Sequence, residues 1–284
     1  MRPGSRVPYV PTAALLVRRD AVLRVARDGH VFDPALRYGE DVDLVWRLDA
    51  AGRRVRYEPS VQVRHQDPDT WTELLSRRFR YGTSAAPLAR RHPGAAPPLV
   101  LHPWPAAVVA SVLARRPDAA LAAYATAIGT MNRTLRRAGL PTEGVHAATV
   151  TGVRQTWLGV ARYAGQFTAP LLAAAVIRPG GHGARRRWGR RATAASLLLG
   201  PATAAYSATR PQLDPLRFVL ARIADDVAYG AGVWTGSLRE RTAAALLPRV
   251  AWQPFRIEPG RTSAPPQGAG TFPGSVPPKT KGAL

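Results

Sequence analysis

Apolar residues recur at helical spacing over Val42, Val45 and Leu48, with Leu44 and Trp46 beside them, and glycines at 39 and 52 bracket the run. This pattern predicts an amphipathic helix that begins just after Gly39 and stops near Gly52. Phe32 to Leu36 leads into it as a loop, and Arg54 to Tyr57 and Val61 to His65 alternate as two short strands. A second helix is expected from Trp71, because Thr70 and Glu73 form a capping-box pattern at its start. Residues 7 to 92 therefore read as alternating short strands and helices, part of an α/β sandwich with one exposed sheet edge.

The pattern changes after Pro93. Residues 93 to 114 carry no formal charge, and further uncharged runs follow at Ala119 to Asn132, Tyr163 to Ile177 and Ala192 to Thr209. Those three are shorter than the ~20 residues that a perpendicular helix needs to cross hydrocarbon. They fit shallow insertion, one or two spans, or buried core helices. A kink is expected at Gly200-Pro201. Leu216 to Leu247 holds another helical pattern, in which Asp225 and Asp226 either pair with Arg222 or face water. Beyond Glu258 the chain turns to Pro, Gly, Ser and Thr and reads as a disordered tail.

Composition narrows the chemistry. The chain has no cysteine, which excludes disulfides and thiolate sites, and 46% hydrophobic content is enough to build a core. The histidines, at 30, 65, 92, 102, 146 and 182, show no close metal-ligand spacing. The net charge of +22 comes almost wholly from arginine, with lysine only at 279 and 281. Such a chain needs anionic company, lipid or nucleic acid, or bulk counterions. Arginine in place of lysine also fits a GC-rich coding bias, and no nucleic-acid-binding motif stands out. The basic residues are spread along the chain except in Arg185 to Arg191.

Glu40, Asp41 and Asp43 stand in the first turn of the first predicted helix. Anions are favoured there by the helix dipole, so the three carboxylates are either a plain helix start or a catalytic acid cluster. Arg77, Arg78 and Arg80 are either a solvated basic face or a site for an anionic group. His65 is either a strand-end histidine or a ligand.

The order of acidic turn, helix, two strands and histidine resembles the C-terminal half of the catalytic domain of inverting family 2 glycosyltransferases. Tyr9 to Ala14, Arg37 to Leu48, Val61 to His65, Arg77 to Leu88 and Asp226 to Trp234 look like the glycosyltransferases of the mycofactocin system within that family. The resemblance implies a partial GT-A nucleotide-diphospho-sugar transferase sandwich over residues 1–95, the acceptor-side half. A helical, membrane-associated region over 96–258 and the tail over 259–284 would follow. It implies Asp41 as general base on the acceptor hydroxyl and Glu40 as its support. It also implies His65 as a ligand to a divalent metal, Mn2+ or Mg2+, and Arg77, Arg78 and Arg80 as contacts to the diphosphate or an anionic acceptor. The usual Gln-x-x-Arg-Trp motif is missing, so those arginine roles rest on the narrower resemblance.

The implied donor is UDP-glucose, the implied acceptor a mycofactocin-type peptide derivative, and the implied location the cytoplasmic face of the cell membrane. The donor-binding half and its Asp-x-Asp motif would precede Met1. Asp41-Val42-Asp43 and Asp67-Pro68-Asp69 are not convincing replacements, so the chain alone is expected to be inactive. The competing expectation is a non-catalytic membrane or interaction subunit that complements a separate donor-binding chain. A basic nucleic-acid-binding protein is the weakest alternative.

Overall fold

The computed structural model describes residues 14–56, 63, 68–178 and 183–252. They are mostly helical. Four helices come first: α1 (Arg19–Arg24), α2 (Glu40–Ala50), α3 (Trp71–Thr83) and α4 (Ala85–Arg91). A two-residue strand β1 (Val100–Leu101) precedes α5 (Pro103–Leu113), α6 (Pro117–Arg137), α7 (Val145–Ile177), α8 (Ala184–Thr209) and α9 (Pro215–Arg239). The short β2 (Arg249–Val250) then returns parallel to β1, with Arg249 and Ala251 donating N–H bonds to Leu99 and Leu101 at 2.9 Å.

The local signals act where the pattern put them. Gly39 caps α2 with φ +79, a conformation that glycine adopts at little cost. Thr70 Oγ1 accepts the Glu73 N–H at 3.2 Å and starts α3. Asp214 caps α9 through the Arg217 N–H at 3.0 Å.

The expected sandwich does not form among the described residues. Residues 53 to 56 are irregular, and the other strand positions, 57 and 61 to 65, lie outside the described residues apart from Val63. Alternation sets which face is apolar, but a strand also needs a neighbour for its backbone groups. Here Val55 packs sideways against the cluster of Leu36, Val42, Val45, Trp46 and Leu88. Helix α2 is also more deeply buried than an amphipathic stripe requires, since all seven residues from Val42 to Leu48 are buried. Its other side meets Val22 of α1 through Leu44 and Leu48. Fully burying Leu44 and Val45 contributes about 1.5–3 kcal/mol each.

The later helices pack on one another, with α7 touching α5, α6, α8 and α9. Helix α8 runs on through Pro201, where a kink was expected. The break falls instead in α7, at Thr168 with φ −133, two residues before Pro170. Pro170 has no N–H for the carbonyl of Gln166. Gly230 of α9 packs on that same carbonyl, where a Cβ would stand only 1.8 Å from the oxygen.

The tightest crossing joins α3 to α9. A Cβ on Gly82 would lie 2.2 Å from the Tyr229 carbonyl oxygen, one on Gly232 2.0 Å from that of Phe79, and one on Gly236 2.4 Å from that of Thr83. Three glycines thus let two backbones touch. Asp226 ties α9 to α7, accepting from Arg162 Nε at 3.2 Å and Gln166 Nε2 at 2.9 Å. The two acids of α9 therefore have protein partners, because Asp225 pairs with Arg78 and Arg222.

Gly232→Ala is expected to lower stability by about 1–3 kcal/mol or more, the usual cost of overpacking. Gly165→Ala in α7, where a Cβ would meet nothing within 4 Å, is expected to be neutral or to stabilise by up to about 1 kcal/mol. Thermal unfolding of both variants checks the pair.

Candidate functional site

The start of α2, the end of α3, α4, Pro93, Gly94, Ala96, Pro97 and Tyr229 of α9 line a cleft of about 690 Å³, to which Leu247 and Arg249 also contribute. The Gly39 turn sets its floor. A Cβ there would come within 2.9 Å of Leu88 Cδ1 and 3.1 Å of Ser84, so the turn lets α2 begin hard against α4.

Glu40 and Asp41 both line this cleft. Asp41 Oδ1 accepts the Val42 N–H at 2.8 Å, a helix-start bond. Glu40 Oε2 is enclosed and has no hydrogen-bond partner among the described residues. Leaving such an oxygen unpaired costs about 1–3 kcal/mol, and a catalytic role is one physical reason for a fold to bear that cost. The pair can accept protons or hydrogen bonds from a hydroxyl in the cleft.

The third carboxylate of the triplet does something else. Asp43 is fully buried. Its Oδ2 accepts from Arg47 Nε at 2.7 Å, and its Oδ1 lies 2.8 Å from His92 Nε2. Arg47 also donates to the carbonyls of Val25 and Val31, the latter at 2.7 Å. Trp46 meets the His92 ring edge-on at 5.2 Å. Burial pushes the Asp43 carboxyl up, but the hydrogen bonds from His92 and Arg47 and the attraction of both groups outweigh it and hold the pKa below its ordinary 3.8. Asp43 therefore pins His92, a cleft residue, to α2.

The three arginines separate. Arg78 lines the cleft, pairs with Asp225, and sits over the Tyr229 ring at 5.2 Å. Its contact with Asp225 is one of charge more than of direction, because Nε lacks an aligned hydrogen bond. Arg80 lies over the Tyr38 ring at 5.9 Å, outside the cleft lining. Arg77 pairs along its own helix with Glu73 at 3.1 Å and does not reach the cleft. His65 lies outside the described residues. The described residues offer no cluster of three or more His, Cys, Asp or Glu side chains that could hold a metal ion. They do not by themselves fit the divalent metal implied by the resemblance.

His92, Tyr229 and the burial of Asp43 were not foreseen as parts of the site. The Asp43–Arg47 pair has the i,i+4 spacing of a helix ion pair, which the sequence displays. The Asp43–His92 bond spans 49 positions and has no local signature.

Residues 1–176 match the family described as Glycosyl transferase family group 2, and the chain belongs to that family. Two relatives, each named "Pre-mycofactocin glycosyltransferase", come from Mycobacterium tuberculosis strains CDC 1551 / Oshkosh and ATCC 25618 / H37Rv. Each is 34% identical over 262 residues, which cover 87% of this chain and 52% of the relative. The chain thus spans about half the length of the curated relatives it matches. No solved structure matches it.

Asp43→Asn is expected to cost about 3–5 kcal/mol at pH 7, because it leaves the Arg47 charge buried without its counter-ion. A carboxylate with a depressed folded pKa stabilises above its unfolded value and loses that contribution as pH falls through the folded one. Stability of the native chain should therefore drop as pH falls below about 3.8, and the drop should be shallower in Asp43→Asn. Urea unfolding across the pH range from neutral to acid measures both effects.

Proposed function

We propose that this chain carries the acceptor side of an inverting sugar transfer, with Asp41 as general base and Glu40 as its supporting carboxylate. The carrying observation is that Glu40 and Asp41, from the first turn of α2, both line one cleft, with Glu40 Oε2 enclosed and without a hydrogen-bond partner among the described residues. A sugar or other hydroxyl is a weak nucleophile near neutral pH. A placed carboxylate that takes its proton as the new bond forms contributes about 10²–10⁴ in rate. The acceptor oxygen attacks the anomeric carbon, the bond from that carbon to the nucleotide diphosphate breaks, and the proton passes to Asp41. Attack opposite the leaving group inverts the carbon. Arg78 is a cleft cation placed to meet negative charge, although Asp225 shares it, and Arg249 is a second one in the lining.

Family membership supports a nucleotide-sugar donor. The names of the two relatives support a mycofactocin-type acceptor, and we take glucose from UDP-glucose as the transferred group. A divalent metal is common in the family, and no step above is routed through one.

Asp41→Asn, introduced at the gene in the source cell, is expected to cut the glycosylated acceptor at least about 100-fold, the lower end for loss of a general base. Mass spectrometry of the acceptor reads the loss of the hexose increment. Unchanged glycosylation would remove Asp41 as base and favour the reading of a non-catalytic subunit that supports a donor-binding chain.

A further inference from the structure

His92 stands just after α4, and the fold clamps it at both backbone and ring. Its N–H donates to the Leu88 carbonyl at 2.9 Å, and its own carbonyl accepts the Ala95 N–H at 3.1 Å. Nε2 lies 2.8 Å from Asp43 Oδ1, and Trp46 meets the ring edge-on at 5.2 Å. Only 12% of the side chain is exposed, yet the residue lines the cleft together with Glu40 and Asp41.

The bond to Asp43 settles which ring nitrogen is left over. The Asp43 carboxyl is held below its ordinary pKa, so near neutral pH it is an ionised group that can only accept, and Nε2 carries the hydrogen. In the neutral ring Nδ1 then bears a lone pair. Among the described residues Nδ1 has no hydrogen-bond partner, and it is not sealed from solvent. Neutralising Asp43 does not account for the ring, because Arg47 already supplies the counter-charge at 2.7 Å. The clamp leaves one polar atom of the ring in a fixed place at the cleft, and fixing such an atom beforehand lowers the cost of binding a ligand.

We propose that His92 is a substrate-contacting residue of the cleft, its Nδ1 hydrogen-bonded to a hydroxyl of the molecule that receives the sugar, with Asp43 behind it as the positioning residue. This rests on the reading of the cleft as the receiving side of the transfer. Nδ1 takes a hydrogen bond from that hydroxyl and moves no proton, so deprotonation stays with Asp41. A fixed lone pair beside two acidic residues selects a ligand that brings hydrogen-bond donors. A ligand without a donor at that point leaves the lone pair unpaired, and sites built on such a bond reject it strongly. The buried acid of the triplet thus serves the cleft through the ring, across the bond that links positions 43 and 92.

Two substitutions separate the two nitrogens. Glutamine places its amide where Nε2 stands and nothing polar at Nδ1, whereas asparagine places its amide near Nδ1 and falls short of Asp43. Each is introduced at the gene in the source cell, where mass spectrometry follows the rate at which glycosylated acceptor appears after induction. Thermal unfolding of the purified full chain reads the fold. His92→Gln is expected to unfold within about 2 °C of the native chain yet to slow glycosylation at least about fivefold, the worth of one hydrogen bond. His92→Asn is expected to lower the midpoint by at least about 3 °C and, at a temperature where both variants are folded, to glycosylate faster than His92→Gln. Unchanged glycosylation in His92→Gln, or product that follows stability in the two variants, would make His92 a structural residue and overturn the proposal. If His92→Gln does not fold, His92→Asn decides: glycosylation kept at the permissive temperature upholds the contact, and its loss there overturns it. Asp41→Asn, run in parallel, keeps the two readings apart. Slowed product in His92→Gln with none in Asp41→Asn removes the base and keeps His92, and the opposite pair removes His92 and keeps the base.

Discussion

The cleft depends on one contact, the crossing of α3 and α9 backbone to backbone at Gly82, Gly232 and Gly236. No side chain intervenes there, so the distance between the helices is set by van der Waals contact of main-chain atoms. That short distance brings Asp225 and Tyr229 of α9 within reach of Arg78 on α3. It also holds Ser84 and the start of α4 where α2 must begin, and Gly39 supplies the turn that fits. Gly230 makes a similar approach on the other side, to the carbonyl that Pro170 leaves without a helical partner. A break in α7 and a glycine in α9 are therefore two halves of one fit.

The acidic turn shows how position in a fold divides like residues into unlike roles. Glu40, Asp41 and Asp43 share one helical turn and one favourable dipole. Glu40 and Asp41 open onto the cleft, whereas Asp43 faces inward and is consumed by Arg47 and His92. Arg47 in turn satisfies two carbonyls of the preceding segment. All three Arg47 nitrogens and both Asp43 oxygens find partners inside the protein, which offsets the cost of burying the ion pair. It fixes α2 to the segment before it and to the end of α4, and so steadies the two acidic residues that line the cleft.

The chain belongs to Glycosyl transferase family group 2, and its structure gathers Glu40, Asp41 and Arg78 in the lining of one cleft. The acidic turn, the helix that follows it, the capped α3 and the helical nature of the later segments were all legible in the sequence. So was the presence of three candidate arginines, although only Arg78 reaches the cleft. The expected strands were not found among the described residues, since alternation in Arg54 to Arg56 says nothing about whether a partner strand lies alongside.

The sequence by itself determined what depends on neighbours within about one turn: the cap at Thr70, the left-handed turn at Gly39, the helical period of α2 and the i,i+4 reach from Asp43 to Arg47. It also determined the excess of arginine over acid between Asp118 and Asp214. Only the tertiary structure decided which carboxylate is buried, that His92 meets Asp43 across 49 positions, and that Arg78 is shared with Asp225. The reason is physical. Helix caps and periods are set by bonds a few residues long, whereas the role of a charge is set by its surroundings, and those are supplied by residues distant in the chain.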